Sequence, residues 1–550
     1  MILTAPVLTP WRLFPIIRPE MWSIGWKSVS RGRKMGKIRN HWHWFAGGCV
    51  ILIFALLLSV RLVGVPKPLA GAAETLSRQP GVIPVGEFWM NITQAGRKIG
   101  YAQRNYSRTE DGFRFSENIF MRINTMGVIQ PLTVRTEAEL KPDRTLASFQ
   151  FDLGSNLFKF TARGEVEGKK LTVRIGGPAE EKISVIDLAE PPYLGGGILE
   201  SAGAGGLQPG EGRTFPVFDP ASMGQRPVRI TLLGEEELTI MGKSRRARKL
   251  SVDFMGMKQI AWVDPDGSVL REEGILGIAL ERVTHGEALE GLEGAVSADL
   301  TEIASIPSSK PIEGAAALKV LKIRLEGLPE GSFAKPLQGA DAHKGGKDVS
   351  EGFPFLDGGR QIYLNGVLTI RRESPAAHTA RSGGAIGGLS ALLDPTPFIQ
   401  SDHPKIRKKL AEIVGPGDPD GVKADKLVAW VYKNLEKRPV LSVPNALETL
   451  ENRVGDCNEH AVLLAAFARA AGIPAEVEAG VVYLRGRFFY HAWNVLYLRD
   501  RGGWMTADSV FGQMPADVTH IRFVRGEADR QLDLVGLIGR LKLEILEMER

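Results

Sequence analysis

The chain has 550 residues, 43% of them hydrophobic and 24% charged, too long for one ordinary domain at ~100–200 residues each and too apolar for a disordered chain. The net charge of +6 owes much to Arg12, Arg18, Lys27, Arg31, Arg33, Lys34, Lys37 and Arg39, all ahead of the first long apolar run, a membrane-topology signal that argues against a nucleic-acid partner. There are two cysteines, and Cys49 lies within that apolar run, so the folded part holds Cys457 alone and cannot form an internal disulfide.

Residues 1–43 form a basic lead broken by Pro6, Pro10, Pro15 and Pro19, and Met35 or Met21 is expected as the true start. Residues 44–65 read as a transmembrane or signal-anchor helix. Phe45 to Val60 carries no charge, and with Arg61 snorkelling the run reaches Val65, near the lower limit of the ~17–25 residues that span a bilayer. Basic residues before the run keep the N-terminus cytoplasmic and send the rest outward. The expectation is an inner-membrane protein with its folded part on the periplasmic side; the alternative is secretion after signal cleavage near Ala72, at Ala70-Gly71-Ala72. Because the apolar run continues past Cys49, a lipid-anchored cysteine there is excluded.

Residues 82–306 are β-rich. Short alternating runs such as Phe88–Thr93, Gly100–Arg108, Phe113–Ile123 and Leu132–Leu140 are separated by turns such as Glu110-Asp111-Gly112 and Lys141-Pro142-Asp143. This predicts a twisted antiparallel sheet, a sandwich or an open barrel, serving as a binding or spacer module. The module resembles periplasmic open β-barrels of the lipoprotein-carrier type without a specific motif. Gly242-Lys243-Ser244 lacks the first glycine of a phosphate loop, since Glu237 stands there, and reads as a hairpin end. Asp264-Pro265-Asp266-Gly267 lacks the other ligands of a calcium loop and reads as a β-turn.

Ile306 to Pro311 reads as a linker, and 317–375 as a small β unit built on Lys319–Leu325 and Gln361–Arg371. Ser382 to Gly388 is a Gly-rich connection. From 395 to 530 the chain is α+β. Helices are predicted at Lys405–Val414, at Ala424–Lys437 with the apolar face Leu427, Val428, Val431 and Leu435, and as a short turn at Asn445–Asn452. The tail, 531–550, reads as a last helix or strand.

The chemistry centres on Val454-Gly455-Asp456-Cys457-Asn458-Glu459-His460-Ala461, which opens an apolar helix that stops at Gly472, two residues before Pro474. Asp456 is placed to cap that helix, its carboxylate accepting from free backbone N–H groups. The helix start carries about half a positive charge, which favours a thiolate at Cys457. Arg487–Val495 and Trp504–Val510 read as strands joined by the hairpin loop Arg499–Gly503. A loop centred on Arg501 puts His491 opposite Phe511, three residues beyond Asp508. The spacing by itself implies only a thiol nucleophile, and the hairpin sets His491 and Asp508 on adjacent strands.

With these pieces the sequence from Ser401 to Ile521 resembles the transglutaminase-like superfamily of papain-like fold. The matching motifs are Gly455-Asp456-Cys457, Ala470-Ala471-Gly472-Ile473-Pro474, Gly480-Val481-Val482-Tyr483, His491-Ala492-Trp493-Asn494 and Trp504-Met505-Thr506-Ala507-Asp508. The resemblance implies a catalytic Cys457–His491–Asp508 triad, no cofactor and no metal, and a thioester formed on a protein or peptide amide. Hydrolysis is expected ahead of amine transfer, because cross-linking members carry Trp after the nucleophile and this chain has Asn458. Three rivals remain: a cross-linking transglutaminase, a non-catalytic scaffold, and a zinc site on Cys457, His460, His491 and Asp508. The zinc reading is the weakest, because no second Cys/His pair follows the Cys-x-x-His spacing. His460 is expected in a supporting or surface position, and Glu459 either lines the site or is a solvated acid of the first turn.

Overall fold

The computed structural model describes residues 84–176, 181–203, 207–254, 257–328, 356–374 and 389–550. The basic lead, the apolar run 44–65, the cleavage pattern near Ala72 and the Ser382–Gly388 connection lie outside the described residues. Among the described residues no helix is long and apolar enough to cross a membrane.

The β-rich region is one fifteen-stranded sheet in which the first strand, Gly86–Gln94, pairs with the last, Ile278–Val283. Its strands alternate inward apolar and outward polar residues, as in Phe115, Ile119, Met121 and Ile123 of Gly112–Thr125. The sheet curls strongly. Phe149 and Phe218, ten strands apart in the sheet order, meet with ring centroids 5.5 Å apart. Arg104 crosses the concave side to bond Glu117 at 2.9 Å and Glu272 at 2.7 Å, and lies 3.5 Å from Glu200 on the short helix Ile198–Gly203. The segments around Gly242 and Gly267 are turns between paired strands: Gly267 N–H donates to the Asp264 carbonyl, and Arg245 pairs with Asp264 at 2.8 Å.

The linker expected at Ile306–Pro311 is instead tied into the C-terminal region. Ile306 and Pro307 pair with Phe488 and Arg487, Ser308 N–H donates to the Gly486 carbonyl, and Ile312 N–H donates to the Tyr483 hydroxyl. A sheet edge there would otherwise leave its backbone groups without partners. The small β unit has four antiparallel strands, Gln361–Leu364, Val367–Arg371, Val320–Glu326 and Lys542–Glu549. The tail is therefore a strand of that unit, and Ile545 buries its side chain beneath it.

The C-terminal region carries helices α1 (Pro404–Ile413), α2 (Asp420–Asn434), α3 (Ala446–Asn452) and α4 (Cys457–Ala470). Strands β1 (Ala475–Leu484), β2 (Arg487–Leu498), β3 (Gly503–Ala507) and β4 (Ile521–Arg525) follow. All but the last residue of α4 are buried, which explains its nearly uninterrupted apolar sequence. The curled module rests on this region beside the start of α4. Phe158 packs with Val440 and Val454, and the Gln130 side chain donates to the Pro439 carbonyl at 2.9 Å.

Candidate active site

Cys457 is the first residue of α4, and it is fully buried. Asp456 caps the helix through Asn458 N–H at 3.2 Å, and Glu459 reaches back to Asp456 N–H at 2.9 Å, closing a capping box. Gly455 is required because a Cβ there would lie 2.3 Å from that of Glu459. Glu459 is not a solvated acid: it is buried and accepts from the Ser442 hydroxyl. Burial, and then the neighbouring Glu459, push the Asp456 carboxyl well above the ordinary range.

His491 on β2 and Asp508 just past β3 meet, His491 Nε2 lying 2.6 Å from Asp508 Oδ2. The hairpin register is one residue tighter than a loop centred on Arg501, with Leu498 opposite Gly503 and Asn494 opposite Ala507. The strand pairing ends there. Asp508 then opens a turn in which it exchanges backbone hydrogen bonds with Gln513 at 2.8 and 2.9 Å. In that turn Oδ1 accepts from the N–H groups of Val510 at 2.6 Å and Phe511 at 3.0 Å, which aims Oδ2 back at the imidazole. Burial opposes ionisation of Asp508, but the charge and hydrogen bonds of His491 and His520 win and hold its carboxyl far below the usual range.

Two bonds dock the cysteine helix on this pair. The Asn494 side chain donates to the Ala461 carbonyl at 2.9 Å, and the Ser509 hydroxyl to the His460 carbonyl at 3.4 Å. His460 is buried and not at the surface, its Nδ1 donating to the Asp456 carbonyl at 2.6 Å. Burial and the Lys437 charge push it down to about 3, so it is neutral. Behind His491, Trp493 donates to Glu478 at 2.9 Å, and Glu478 also holds Arg522 at 2.9 Å and Arg525 at 2.8 Å. Each polar or aromatic member of His-Ala-Trp-Asn thus has its own anchor.

His520 was not expected at the site. Its Nε2 lies 2.9 Å from the same Asp508 oxygen that His491 uses. A histidine directly before the apolar strand β4 has no local signal of this role; only the turn from 508 to 520 brings it home. Gly480, opposite His491, makes room for this arrangement, since a Cβ there would sit 1.9 Å from the Ile521 carbonyl oxygen. His491, Asp508 and His520 gather ligand-type atoms within 4.8 Å, and the two hydrogen bonds to Asp508 account for the cluster; the four residues of the zinc reading do not form such a group among the described residues.

Residues 407–509 match the family model of the transglutaminase-like superfamily. The C-terminal domain belongs to that superfamily. A solved structure of a candidate cysteine protease from Cytophaga hutchinsonii is similar, with 19% identity over 34% of this chain and 72% of that chain and a TM-score of 0.24. A β-barrel-like protein of unknown function from Brucella abortus is similar at 9% identity over 37% of this chain and 97% of that chain, with a TM-score of 0.29. No curated protein matches the chain.

Proposed function

We propose that the protein is a membrane-anchored, exported thiol enzyme that cleaves amide bonds of proteins or peptides through Cys457, His491 and Asp508. The observation that carries this reading is the His491–Asp508 hydrogen bond beside the first turn of the cysteine helix. With Nε2–H committed to Asp508, Nδ1 of His491 is left as the base. It takes the Cys457 proton, and the thiolate attacks the carboxamide carbon while the carbonyl electron pair moves onto oxygen. The Cys457 backbone N–H, at the helix start, is the donor offered to that oxyanion. Collapse expels the amine, which takes its proton from His491, and leaves a thioester. Water, activated by the same imidazole, then releases the acid and regenerates the thiol; an amine in place of water would give transfer.

The pH dependence of Cys457 alkylation, read by intact mass, tests this. An ordinary thiol has a pKa of ~8.5 and reacts slowly at about pH 6. Wild type is expected to label rapidly at that pH and His491→Ala at the ordinary rate. Any opening needed to reach the enclosed thiol is common to both proteins and cancels in the ratio. Equal, ordinary profiles would sink the proposal. The full burial of Cys457 favours one second reading, a binding scaffold on the same fold, and that outcome would select it.

Export and anchoring rest on the basic lead and the apolar run. The full chain is expected to sediment with membranes and to be digested by protease added outside the cytoplasmic membrane. Recovery in the soluble cytoplasmic fraction would overturn the anchor.

A further inference from the structure

Asp508 serves two imidazoles with one oxygen, 2.6 Å from His491 and 2.9 Å from His520. The other nitrogen of His520, Nδ1, lies 3.2 Å from the Asp517 carbonyl oxygen and 3.3 Å from Asp517 Oδ1. Both nitrogens therefore face oxygens that only accept, so both carry hydrogen, and the ring is an imidazolium. Asp517 is itself held as a carboxylate. Its Oδ1 accepts from Thr519 N–H at 2.9 Å and the Thr519 hydroxyl at 2.6 Å, and its Oδ2 from the Gln513 side chain at 3.1 Å. His520 is pushed up to about 9, its burial outweighed by Asp508 and Asp517, in agreement with the geometry.

The charged groups around this ring are few. Arg360 donates to the carbonyls of Ala516, Asp517 and His520 at 2.6, 3.1 and 3.0 Å, which fixes the turn, and its charge faces the buried Glu373 at 3.8 Å. Lys437 acts on Asp508, and His460 beside it is neutral. Trp493 and Phe511 enclose the ring edge-on at 5.1 and 5.8 Å. The centroids of His520 and His491 are 5.7 Å apart. At neutral pH a cation thus sits one carboxylate away from the proposed base.

We infer that His520, held charged by Asp517, is a positioning residue that shares Asp508 with His491 and sets the pH window of the Cys457–His491 pair toward acid. The inference rests on the thiol–imidazole reading above. The cation repels a proton on His491 and favours an anion at Cys457, so both ionisations of the pair move to lower pH than a lone Asp508 would set. The charge neutralises part of Asp508, so the carboxylate orients the imidazole more than it stabilises imidazolium.

The test is a pH titration of thiolate ultraviolet absorbance, each protein measured against its own Cys457→Ser counterpart, which needs no reagent to enter the site. It is run on the full chain as wild type, His520→Gln and Asp517→Asn. His520→Gln removes the cation and can still donate to Asp508, and it is expected to move thiolate formation upward by about one pH unit. Asp517→Asn leaves the Asp508 contact alone, keeps His520 charged at the acid pH where the thiolate forms, removes one negative charge beyond it, and is expected to give a smaller shift of the opposite sign. It also tests the inference if His520→Gln does not fold. Titrations with lowered amplitude and unmoved midpoints in both variants would show a merely structural histidine and overturn the inference. A wild-type titration with a single ordinary thiol midpoint would overturn the thiol–imidazole reading, and this inference with it.

Discussion

Asp508→Ala is expected to cost about 3–5 kcal/mol of stability and to abolish the His491-dependent reactivity of Cys457, lowering it about 10³–10⁴-fold. The carboxylate is fully buried and answers four donors: His491, His520 and the amides of Val510 and Phe511. Removing it leaves an imidazolium at His520 beside an empty space, and two backbone N–H groups without their acceptor. Asp508→Asn keeps the shape and part of the bonding, so it should lose less stability than Ala while losing similar reactivity. Urea denaturation and labelling rates read the two effects separately. The loss should also depend on pH. The depressed Asp508 contributes stability present above its unfolded pKa of ~3.9 and lost as pH falls below it. The raised His520 contributes stability present below its unfolded pKa of ~6.5 and lost as pH rises through about 9. The stability gap between wild type and Asp508→Ala should therefore be widest between about pH 4 and 6.5 and narrow on both sides. A gap independent of pH would contradict the ion-pair account.

Glu478→Ala is expected to be of similar size, about 3–5 kcal/mol, although it is more remote from the thiol. Glu478 is buried on β1 and ties together Trp493 of β2 and Arg522 and Arg525 of β4. Its burial would raise its pKa, but Arg522, Arg525 and Arg360 outweigh this and bring it down to about 2. The depression from an ordinary 4.5 corresponds to roughly 3 kcal/mol, present above about pH 4.5 and lost as pH falls toward 2. Removing Glu478 takes the carboxylate partner from the buried Arg522 and the half-buried Arg525. It also frees the indole stacked near His491, whose ring centroids lie 6.0 Å apart. The expected result is a large fall in the denaturation midpoint at pH 7 that shrinks at pH 3. Glu478→Gln should be milder, because an amide oxygen can still accept from Trp493. A loss below ~1 kcal/mol for the Ala variant would show that the three strands hold without the charge network.

The parts of the site legible in the sequence are those specified by local rules. Gly455, Asp456 and Cys457 before an apolar run announce a capped helix start, and the structure adds Glu459 as the second half of the cap. Alternation and turn residues located the strands of the module, because each strand buries one face and must break at polar turns. His491 and Asp508 were legible as neighbours because a short hairpin joins their strands, even though the register was one residue off. The tertiary structure alone decided the rest. For His460 and Glu459 the sequence left a place at the site and a place in solvent both open, and the fold decided: both are buried, His460 Nδ1 donating to the Asp456 carbonyl and Glu459 accepting from the Asp456 amide and the Ser442 hydroxyl. Ile306–Pro307 and the C-terminal strand are claimed by distant sheet edges whose backbone groups need partners. His520 has no periodic or motif signature. Its charge exists only because a turn closes Asp508 and Asp517 around both of its nitrogens, and electrostatic pairing of that kind depends on distances in space that the order of residues does not encode.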